Sequence, residues 1–259
     1  MNTVTLANVK IFLMGEFQRD SAYLFPLRLF IGIGWVRAGL EKYIDANWQN
    51  GSALVTFFNQ QVSGGHVSFP FYQAMIRNFF TPQALSLSWV IMIGQLLVGI
   101  AVLAGFFTNF ALLCGVFMNF NFIFAGQVNP SAFYIVIQMA LFIGNAGAII
   151  GIDQFLSRKI PVCFLVAQTD GIRKLLCVER ATYLTMAILS LGGALFAIPY
   201  IRDFSPHSVD DPAMILLVLS IIIGLSALIT WMRFRKMVSF KDLHIPASIP
   251  DQGFRRGQD

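Results

Sequence analysis

The chain has 259 residues, of which 56% are hydrophobic and only 12% are charged, whereas roughly 25% of the residues in soluble domains are charged. Its mean hydropathy is +0.68, and residues 46–152 contain no Asp, Glu or Lys and one arginine, Arg77. This composition excludes an ordinary soluble domain and predicts an all-α integral membrane protein, with the lipid bilayer as its first partner.

Six segments are long and apolar enough to cross a hydrocarbon core, which needs roughly 20 helical residues. They are residues 22–40, 85–105, 107–126, 131–151, 181–201 and 212–232. Short connections join the second span to the third and the third to the fourth, and short connections make neighbouring helices antiparallel. The pattern therefore predicts a four-helix up-down transmembrane bundle plus two additional transmembrane helices.

The spans divide the chain into five parts. These are an N-terminal segment (1–21), a four-helix membrane domain (22–156), a connector (157–180), a two-helix extension (181–236) and a tail (237–259) that we expect to be disordered. Six spans put both termini on one side, and thirteen basic residues outside the spans fall on that side against three on the other. Because basic residues concentrate in the cytoplasm, we predict that both termini are cytoplasmic. Contact with anionic lipid headgroups then explains the net charge of +5 without a nucleic-acid partner.

The first span, which begins the chain's membrane domain, is unusual because it carries charge. On a helical wheel Arg28, Gly32, Trp35 and Gly39 share one face, and small residues mark close helix contacts in membranes, so Arg28 is expected to point into the bundle. Arg37 lies on the opposite face. There it can pair with Glu41 one turn later or extend to the headgroups.

The outer loop, residues 44–84, is long, nearly uncharged and rich in aromatic residues. Residues 52–61 and 71–80 each predict an amphipathic helix, and such helices with aromatic side chains lie in the membrane interface. The loop is either a lid packed over the outer end of the bundle or a gate through which a lipid-soluble molecule enters sideways.

Polar residues within or beside the spans provide the candidate site. Depth along each span predicts an outer layer of Arg37, Glu41, Asn121 and Gln138, and an inner layer of Arg28 and Asn145 with Gln95 between them. Lys42 follows the outer layer, and Asp153 is the carboxylate nearest to Arg28. These groups either hold the helices together or donate hydrogen bonds to the oxygens of a quinone or to another anion.

Metal and redox chemistry carried by the chain itself is not supported by any motif. The three histidines, His66, His207 and His244, are far apart and lie outside the spans. The cysteines, Cys114, Cys163 and Cys177, form no CxxC pair and are expected to be inert, because the cytoplasm keeps thiols reduced. We expect no intrinsic cofactor, with a quinone as a substrate.

Several motifs occur together in a fixed order. They are Leu27-Arg28, then Arg37-Ala-Gly39-Leu-Glu41-Lys42, Gly94-Gln95-Leu-Leu-Val-Gly99, Asn119, Asn129-Pro130 and Gly151-Ile-Asp153. In this order and spacing, residues 22–156 resemble the DoxX/DoxD family of bacterial membrane proteins. Relatives often have a glutamate where this chain has Gln95, and an amide cannot release a proton. The last two spans exceed the short members of that family and are a candidate docking surface.

The resemblance implies a four-helix bundle in the bacterial cytoplasmic (inner) membrane and a link to quinone-coupled sulfur oxidation. DoxD-like proteins are the large subunit of thiosulfate:quinone oxidoreductase and act with a partner subunit, while other DoxX-like members are associated with oxidative-stress defence. Three functions follow as hypotheses. The first is a quinone-linked oxidoreductase subunit, the second is a non-enzymatic scaffold subunit, and the third is a small-solute or anion transporter. The lack of an inverted repeat and of broken helices argues against the third.

Overall fold

The computed structural model describes residues 22–160, 162, 164–168, 180–201 and 211–241. The predicted N-terminal segment (1–21), the connector residues 169–179 and residues 242–259 of the tail lie outside the described residues, as do Cys163, Cys177, His207 and His244. All regular secondary structure in the described ranges is helical, which confirms the all-α class predicted from composition.

The helices are α1 (Leu24–Ile44), α2 (Ala46–Gln49), α3 (Ser52–Ser63), α4 (Pro70–Met75), α5 (Ala84–Ala104), α6 (Thr108–Phe124), α7 (Ser131–Ile143), α8 (Asp153–Leu156), α9 (Arg180–Ala197) and α10 (Pro212–Lys241). A π-helical turn at Ile76–Phe80 extends α4, and 3-10 turns lie at Ala146–Ala148 and Ile198–Tyr200. The amphipathic helices predicted within the outer loop therefore correspond to α3 and to α4 with its π-helical turn.

Three helical segments are long and apolar enough to cross a membrane, namely Ala84–Ala104, Tyr183–Tyr200 and Pro212–Ile229. Helices α6 and α7 are apolar but have only 17 and 13 residues. Helix α1 has 21 residues and carries four charged residues, Arg28, Arg37, Glu41 and Lys42. The described chain is thus a membrane protein by the length and composition of these helices.

Helices α1, α5, α6 and α7 pack in a ring in which each contacts its two neighbours. The contact between α1 and α5 is close because glycines line it: a methyl group placed on Gly99 would come within 2.6 Å of the Val36 backbone nitrogen, and one on Gly39 within 2.8 Å of Leu96 Cγ. Helix α6 pairs with α7, whereas α5 and α6 pack against each other less extensively. The ring therefore consists of two closely packed helix pairs.

The connections meet at two opposite ends of this ring. The aromatic end comprises residues 44–83 and 125–130, where Tyr72 stacks on Phe124 with ring centroids 5.4 Å apart. The Arg28 end comprises residues 22–28, 105–108, 144–160 and 164–168, where the backbone amide of Asp153 donates to the carbonyl of Gly105 at 2.7 Å. Helices α9 and α10 pack along each other and join the aromatic end.

Their attachment is largely aromatic. The ring of Phe69, which is fully buried, lies 5.9 Å from that of Phe196 and 4.9 Å from that of Tyr200. The hydroxyl of Ser68 lies 3.0 Å from a carboxylate oxygen of Asp211. The outer loop therefore holds the two-helix extension against the rest of the molecule.

The fourth predicted span, residues 131–151, is shorter than expected as a helix. Helix α7 ends at Ile143, and Asn145 and Ile150 have φ angles of 50° and 47°. These left-handed conformations cannot continue a right-handed helix, so residues 144–152 form an irregular turn around the 3-10 segment. The prediction that no helix is broken is wrong at this position.

Candidate functional site

Arg28 lies inside the molecule, as the helical wheel predicted, and is only 1% exposed. Its Nη1 donates to the carbonyl oxygens of Ala146 at 2.8 Å and Ile149 at 2.5 Å, and its Nη2 donates to that of Ile150 at 3.1 Å. Because α7 stops early, these carbonyls belong to an irregular turn and not to a continuing helix, and the Ala146 carbonyl also accepts from the Ile149 amide at 3.2 Å. Arg28 supplies three further hydrogen bonds to this turn, so it is a structural residue of the helix break.

Asp153 is fully buried at the same end but does not form a salt bridge with Arg28, the partner expected for it. Its carboxylate accepts hydrogen bonds from the backbone amides of Phe107 at 2.8 Å, Thr108 at 2.9 Å and Ala167 at 3.2 Å. Burial raises the pKa of this carboxyl, and the three N–H donors oppose that rise only in part. Asp153 caps the N-terminus of α6 and fixes residues 164–168 against it.

Asn145 begins the helix break. It hydrogen-bonds Asn109 and Gln168 and not Arg28, the partner predicted for it in the inner layer. Its Oδ1 accepts hydrogen bonds, each 3.3 Å long, from Nδ2 of Asn109 and the backbone amide of Gln168. No hydrogen bond joins it to the Arg28 guanidinium, which binds the turn that follows. The seven-residue spacing from Gln138 therefore carries no meaning, because the two residues do not share one helix.

The predicted outer layer does not come together. Arg37 Nε donates to Glu41 Oε1 at 2.7 Å, which confirms the i,i+4 pair, but Arg37 has 78% of its side chain exposed and faces away from the bundle. Gln138 is fully buried and accepts from Nδ2 of Asn119 at 3.0 Å. Asn121 instead receives the hydroxyl hydrogen bond of Tyr72 at 3.1 Å. Arg37 with Glu41, Gln138 and Asn121 thus have separate hydrogen-bond partners and do not form one polar layer.

A cavity of about 670 Å³ lies at the aromatic end between the two helix pairs. Helices α1, α5, α6 and α7 provide its walls, and the outer loop covers it with residues such as Leu54, Phe58 and Tyr72. Its size falls within the range of roughly 300–1,000 Å³ that is typical of small-molecule sites, and such sites are mostly apolar with a few polar groups. The outer loop packs as a lid, and the cavity lies beneath it.

Few polar groups line this cavity. Gln95 and Trp35 are each 2% exposed, and Gln95 Oε1 and Trp35 Nε1 have no hydrogen-bond partner among the described residues. Lys42 Nζ donates to the Ala38 carbonyl at 3.2 Å and lies 5.2 Å from the centroid of the Trp48 ring. Burial raises the pKa of the Tyr72 phenol, so this group stays a neutral donor to Asn121. The lining of the cavity is thus largely apolar, with one cation, Lys42.

Three of the eight predicted site residues line the cavity, namely Lys42, Gln95 and Asn121. Arg28, Arg37, Glu41, Gln138 and Asn145 do not line it. Sequence reasoning missed Trp35, Tyr72 and Asn119 as site residues. Trp35 was visible on the inward face of α1 and Asn119 among the ordered motifs, but only the folded outer loop brings Tyr72 to α6.

Val90 of α5 and Phe117 of α6 also line the cavity, and they are 65% and 70% exposed. A lining residue that is also exposed lies where the cavity reaches the surface of the molecule. This edge is the groove between α5 and α6, which pack less extensively than α1 with α5 or α6 with α7.

Within the described ranges, no cluster of three or more His, Cys, Asp or Glu side chains is arranged to hold a metal ion. Cys114 is a free, partly buried thiol.

No family model matches this chain, and neither the curated proteins nor the solved structures contain a significant match. The resemblance to the DoxX/DoxD family therefore rests on the ordered motifs alone.

Proposed function

We propose that this chain is a multi-pass membrane subunit of a quinone-linked oxidoreductase and that the cavity at the aromatic end binds the quinone. The observation that carries the proposal is the composition of the cavity: a large apolar space, bounded by helices of membrane character, whose few polar lining side chains include Lys42, Gln95 and Asn121. A quinone combines an apolar ring and tail with a few oxygen atoms, so it matches this lining. The ordered DoxX/DoxD-like motifs point to the same chemistry.

In this proposal all six apolar segments cross the bacterial inner membrane, with α1, α5, α6 and α7 as the four-helix bundle and α9 and α10 as two further spans. The turn at residues 144–152 completes the shortened fourth span, because Arg28 satisfies carbonyls that lipid could not. The aromatic end faces outward, and both termini are cytoplasmic. The cavity then lies in the outer half of the bilayer, within reach of a lipid-soluble substrate.

The reaction transfers two electrons from a reduced donor, such as two thiosulfate ions that couple to one tetrathionate, to the quinone, which takes up two protons and leaves as the quinol. This chain contributes the binding and orientation of the quinone, and a partner subunit completes the electron path. Lys42, at the cavity, and Arg37, on the outer part of α1, give the donor side a positive charge that attracts an anionic donor.

The test is donor-dependent quinone reduction, measured by absorbance in membranes from cells that express the chain and its partner. Ala38 lines the cavity, so Ala38→Trp should fill it and abolish the reaction. Ala140, which lies on α7 and does not line the cavity, provides the control Ala140→Trp, which should retain activity. Full activity in a correctly inserted Ala38→Trp protein would show that the cavity is not the quinone site.

The alternative is a scaffold subunit without a quinone site of its own. Purification in mild detergent followed by mass spectrometry of bound proteins and lipids separates the two functions. A quinone that co-purifies with the wild-type protein and is lost from Ala38→Trp supports the proposal. A stoichiometric partner with no bound quinone in either protein would favour the scaffold.

The transporter hypothesis gains one feature from the structure, because broken helices often provide ion and substrate ligands in transporters. In this chain, however, Arg28 binds the carbonyl groups exposed by the break. They are therefore not available to coordinate a solute, and we do not propose transport.

A further inference from the structure

The cavity at the aromatic end contains one charged side chain, Lys42, among the residues that the structure describes. Trp35, Ala38 and Lys42 lie on one stripe of α1 that lines the cavity, because residues three and four apart share a helix face. The Lys42 ammonium donates to the Ala38 carbonyl at 3.2 Å and lies over the Trp48 ring. An ammonium group has three hydrogens to donate, so Lys42 can also donate to an occupant of the cavity.

No carboxylate of the described residues forms an ion pair with this charge. The two carboxylates nearest to Lys42 in sequence have other partners, since Glu41 accepts from Arg37 Nε at 2.7 Å and Asp45 accepts from the Asn47 amide at 2.9 Å. Residues 46–152, which supply the lid and the other three walls of the cavity, contain no Asp or Glu. A cation beside an apolar space is costly unless it is paired, and an anionic group of a bound molecule would reduce that cost.

Another side of the cavity is apolar and open. Val90 of α5 and Phe117 of α6 line it there and are largely exposed, so a hydrocarbon chain can pass through the groove between these helices into lipid. The volume of about 670 Å³ matches that of sites for drug-sized molecules. The cavity therefore accommodates a head group with one chain, whereas the two chains of a phospholipid would not fit.

The Lys42 side chain and this opening lie at a similar depth. The register of the helices follows from two close contacts, Gly39 with Leu96 and Gly94 with Met118. In this register Lys42 is within about two residues, or roughly 3 Å along the helix axis, of the level of Phe117. A molecule with its head at Lys42 and its chain in the groove thus crosses the bundle and does not run along its axis.

We infer that the cavity binds a single-chain anionic amphiphile, of which a long-chain carboxylate is the simplest, as a second ligand beside the proposed quinone. Its head group accepts a hydrogen bond from the Lys42 ammonium, and its chain leaves between Val90 and Phe117. A neutral quinone leaves the charge of Lys42 unbalanced, whereas a carboxylate balances it. Both ligands occupy the same space, so the carboxylate excludes the quinone.

The experiment measures equilibrium binding of a photoreactive hexadecanoic acid, with a diazirine within its chain, to the full chain in nanodiscs of phosphatidylcholine. Mass spectrometry quantifies the crosslinked protein as the mole fraction of probe in the membrane rises. The wild type should bind the carboxylate about ten- to a hundredfold more tightly than the methyl ester of the same probe, the equivalent of one charge-assisted hydrogen bond.

The variant Lys42→Gln should bind the carboxylate only as tightly as the ester. Its binding of the ester should equal that of the wild type, and this readout shows that the variant is folded and that its cavity is intact. Equal affinities of the wild type for the carboxylate and the ester would overturn the inference.

Arg77→Gln is the matched control. Arg77 is the arginine of the lid, where it is exposed on the π-helical turn, and it does not line the cavity. Its replacement removes the same charge from the same end of the molecule and should leave both affinities unchanged. Equal losses of carboxylate binding in Arg77→Gln and Lys42→Gln would indicate a general attraction of anions to this end and would contradict a site at Lys42.

The headgroup of an anionic phospholipid is the other source of the same chemistry. Phosphatidylglycerol in the nanodiscs should displace the bound carboxylate no more than an equal amount of phosphatidylcholine does, because its two chains do not fit the cavity. Selective displacement by phosphatidylglycerol would show that Lys42 contacts the bilayer surface, and the inference would then be wrong.

The positions of the crosslinks test where the chain leaves. The diazirine should label residues of the groove, such as Val90 and Phe117, and Ala38→Trp should abolish this labelling because it fills the cavity. Phe110 is an exposed residue of α6 that does not line the cavity and should remain unlabelled. Equal labelling of Phe110 and Phe117 would place the chain on the outer surface of the bundle.

The proposed function fails in a different measurement, through an absence of donor-dependent turnover in membranes. A chain that binds the carboxylate through Lys42 without supporting turnover keeps the inference and loses the oxidoreductase function. Turnover in a chain whose carboxylate binding does not depend on Lys42 does the reverse.

Discussion

Arg28 shows how a buried charge is held within an apolar bundle. Its guanidinium donates to three carbonyl groups of residues 146–150, and a ring of Phe25 lies 5.0 Å from its central carbon. Five N–H donors in a fixed planar arrangement suit such a set of acceptors better than an ammonium group does. The charge is therefore used to end a helix inside the bundle.

Removing this side chain should destabilise the fold. Arg28→Leu removes the guanidinium donors from the carbonyl groups of Ala146, Ile149 and Ile150, so we expect a loss of about 3–5 kcal/mol in the free energy of unfolding, the range for breaking a buried charged contact. Thermal unfolding in detergent, followed by intrinsic fluorescence, measures the change. Arg37→Leu is the control: it removes an exposed arginine of the same helix, and its melting temperature should stay close to that of the wild type. Equal melting temperatures for Arg28→Leu and Arg37→Leu would refute the structural role.

Asp153 predicts a dependence of stability on pH. Burial raises its pKa above the ordinary value of 3.8, so the folded protein binds the proton more tightly than the unfolded chain does. This contribution to stability is complete below the unfolded pKa and is lost as the pH rises through the raised folded pKa. As the pH rises across that interval, the melting temperature of the wild type should fall relative to that of Asp153→Asn. The same difference in melting temperature between the two proteins at every pH would disprove this role of Asp153.

At the scale of helices, the glycines of α1 and α5 determine how closely the helices approach. A methyl group on Gly99 would lie 2.6 Å from the Val36 backbone nitrogen, and backbone cannot move aside as a flexible side chain can. Gly99→Ala should therefore separate the two helices and cost about 1–3 kcal/mol, the usual range for overpacking. Urea or thermal unfolding of the purified protein reports the change.

Gly94 on the same helix gives the matched control. A methyl group there would meet only the Met118 sulfur at 3.4 Å, an ordinary contact. Gly94→Ala should thus be neutral or stabilising by roughly 0.5–1 kcal/mol, because alanine favours a helix over glycine. If both substitutions had the same effect, close packing between α1 and α5 would not be the reason for the glycines.

The helices differ in how far their sequences determine them. The outer-loop helices α3 and α4 could be predicted to within a few residues, because their apolar periodicity and flanking glycines are local signals. The early end of α7 could not, because residues 131–151 remain apolar throughout. That helix ends where Arg28, more than a hundred residues earlier, supplies hydrogen bonds to its turn, and a contact so distant in sequence leaves no local pattern.

The candidate site also depends on contacts between distant parts of the chain, so only part of it could be predicted from the sequence. Helical wheels correctly placed Arg28 and Trp35 on the inward face of α1 and paired Arg37 with Glu41. They could not reveal a cavity, because its space depends on how two helix pairs diverge and on how the outer loop folds over them. Tyr72 reaches Asn121 across 49 residues of chain, and this contact exists only in the assembled molecule.

The whole molecule has two chemically different ends. The aromatic end holds the cavity, its lid and the attachment of α9 and α10, while the Arg28 end holds the buried polar network of Asp153, Asn109 and Asn145. Outside the predicted spans, thirteen basic residues fall in segments that the predicted topology places on the side of the termini, and three fall in segments on the side of the outer loop. Since basic residues favour the cytoplasm, we expect the aromatic end to face outward.

Cysteine labelling tests this orientation. In a background in which serine replaces the three natural cysteines, Ser63→Cys lies exposed at the aromatic end and Arg158→Cys lies exposed at the opposite end. A membrane-impermeant maleimide should label Ser63→Cys in intact spheroplasts and Arg158→Cys only after the membrane is opened. Labelling in the reverse order would invert the topology and place the quinone cavity in the cytoplasmic half of the bilayer. An anionic donor would then have to approach Lys42 from inside the cell.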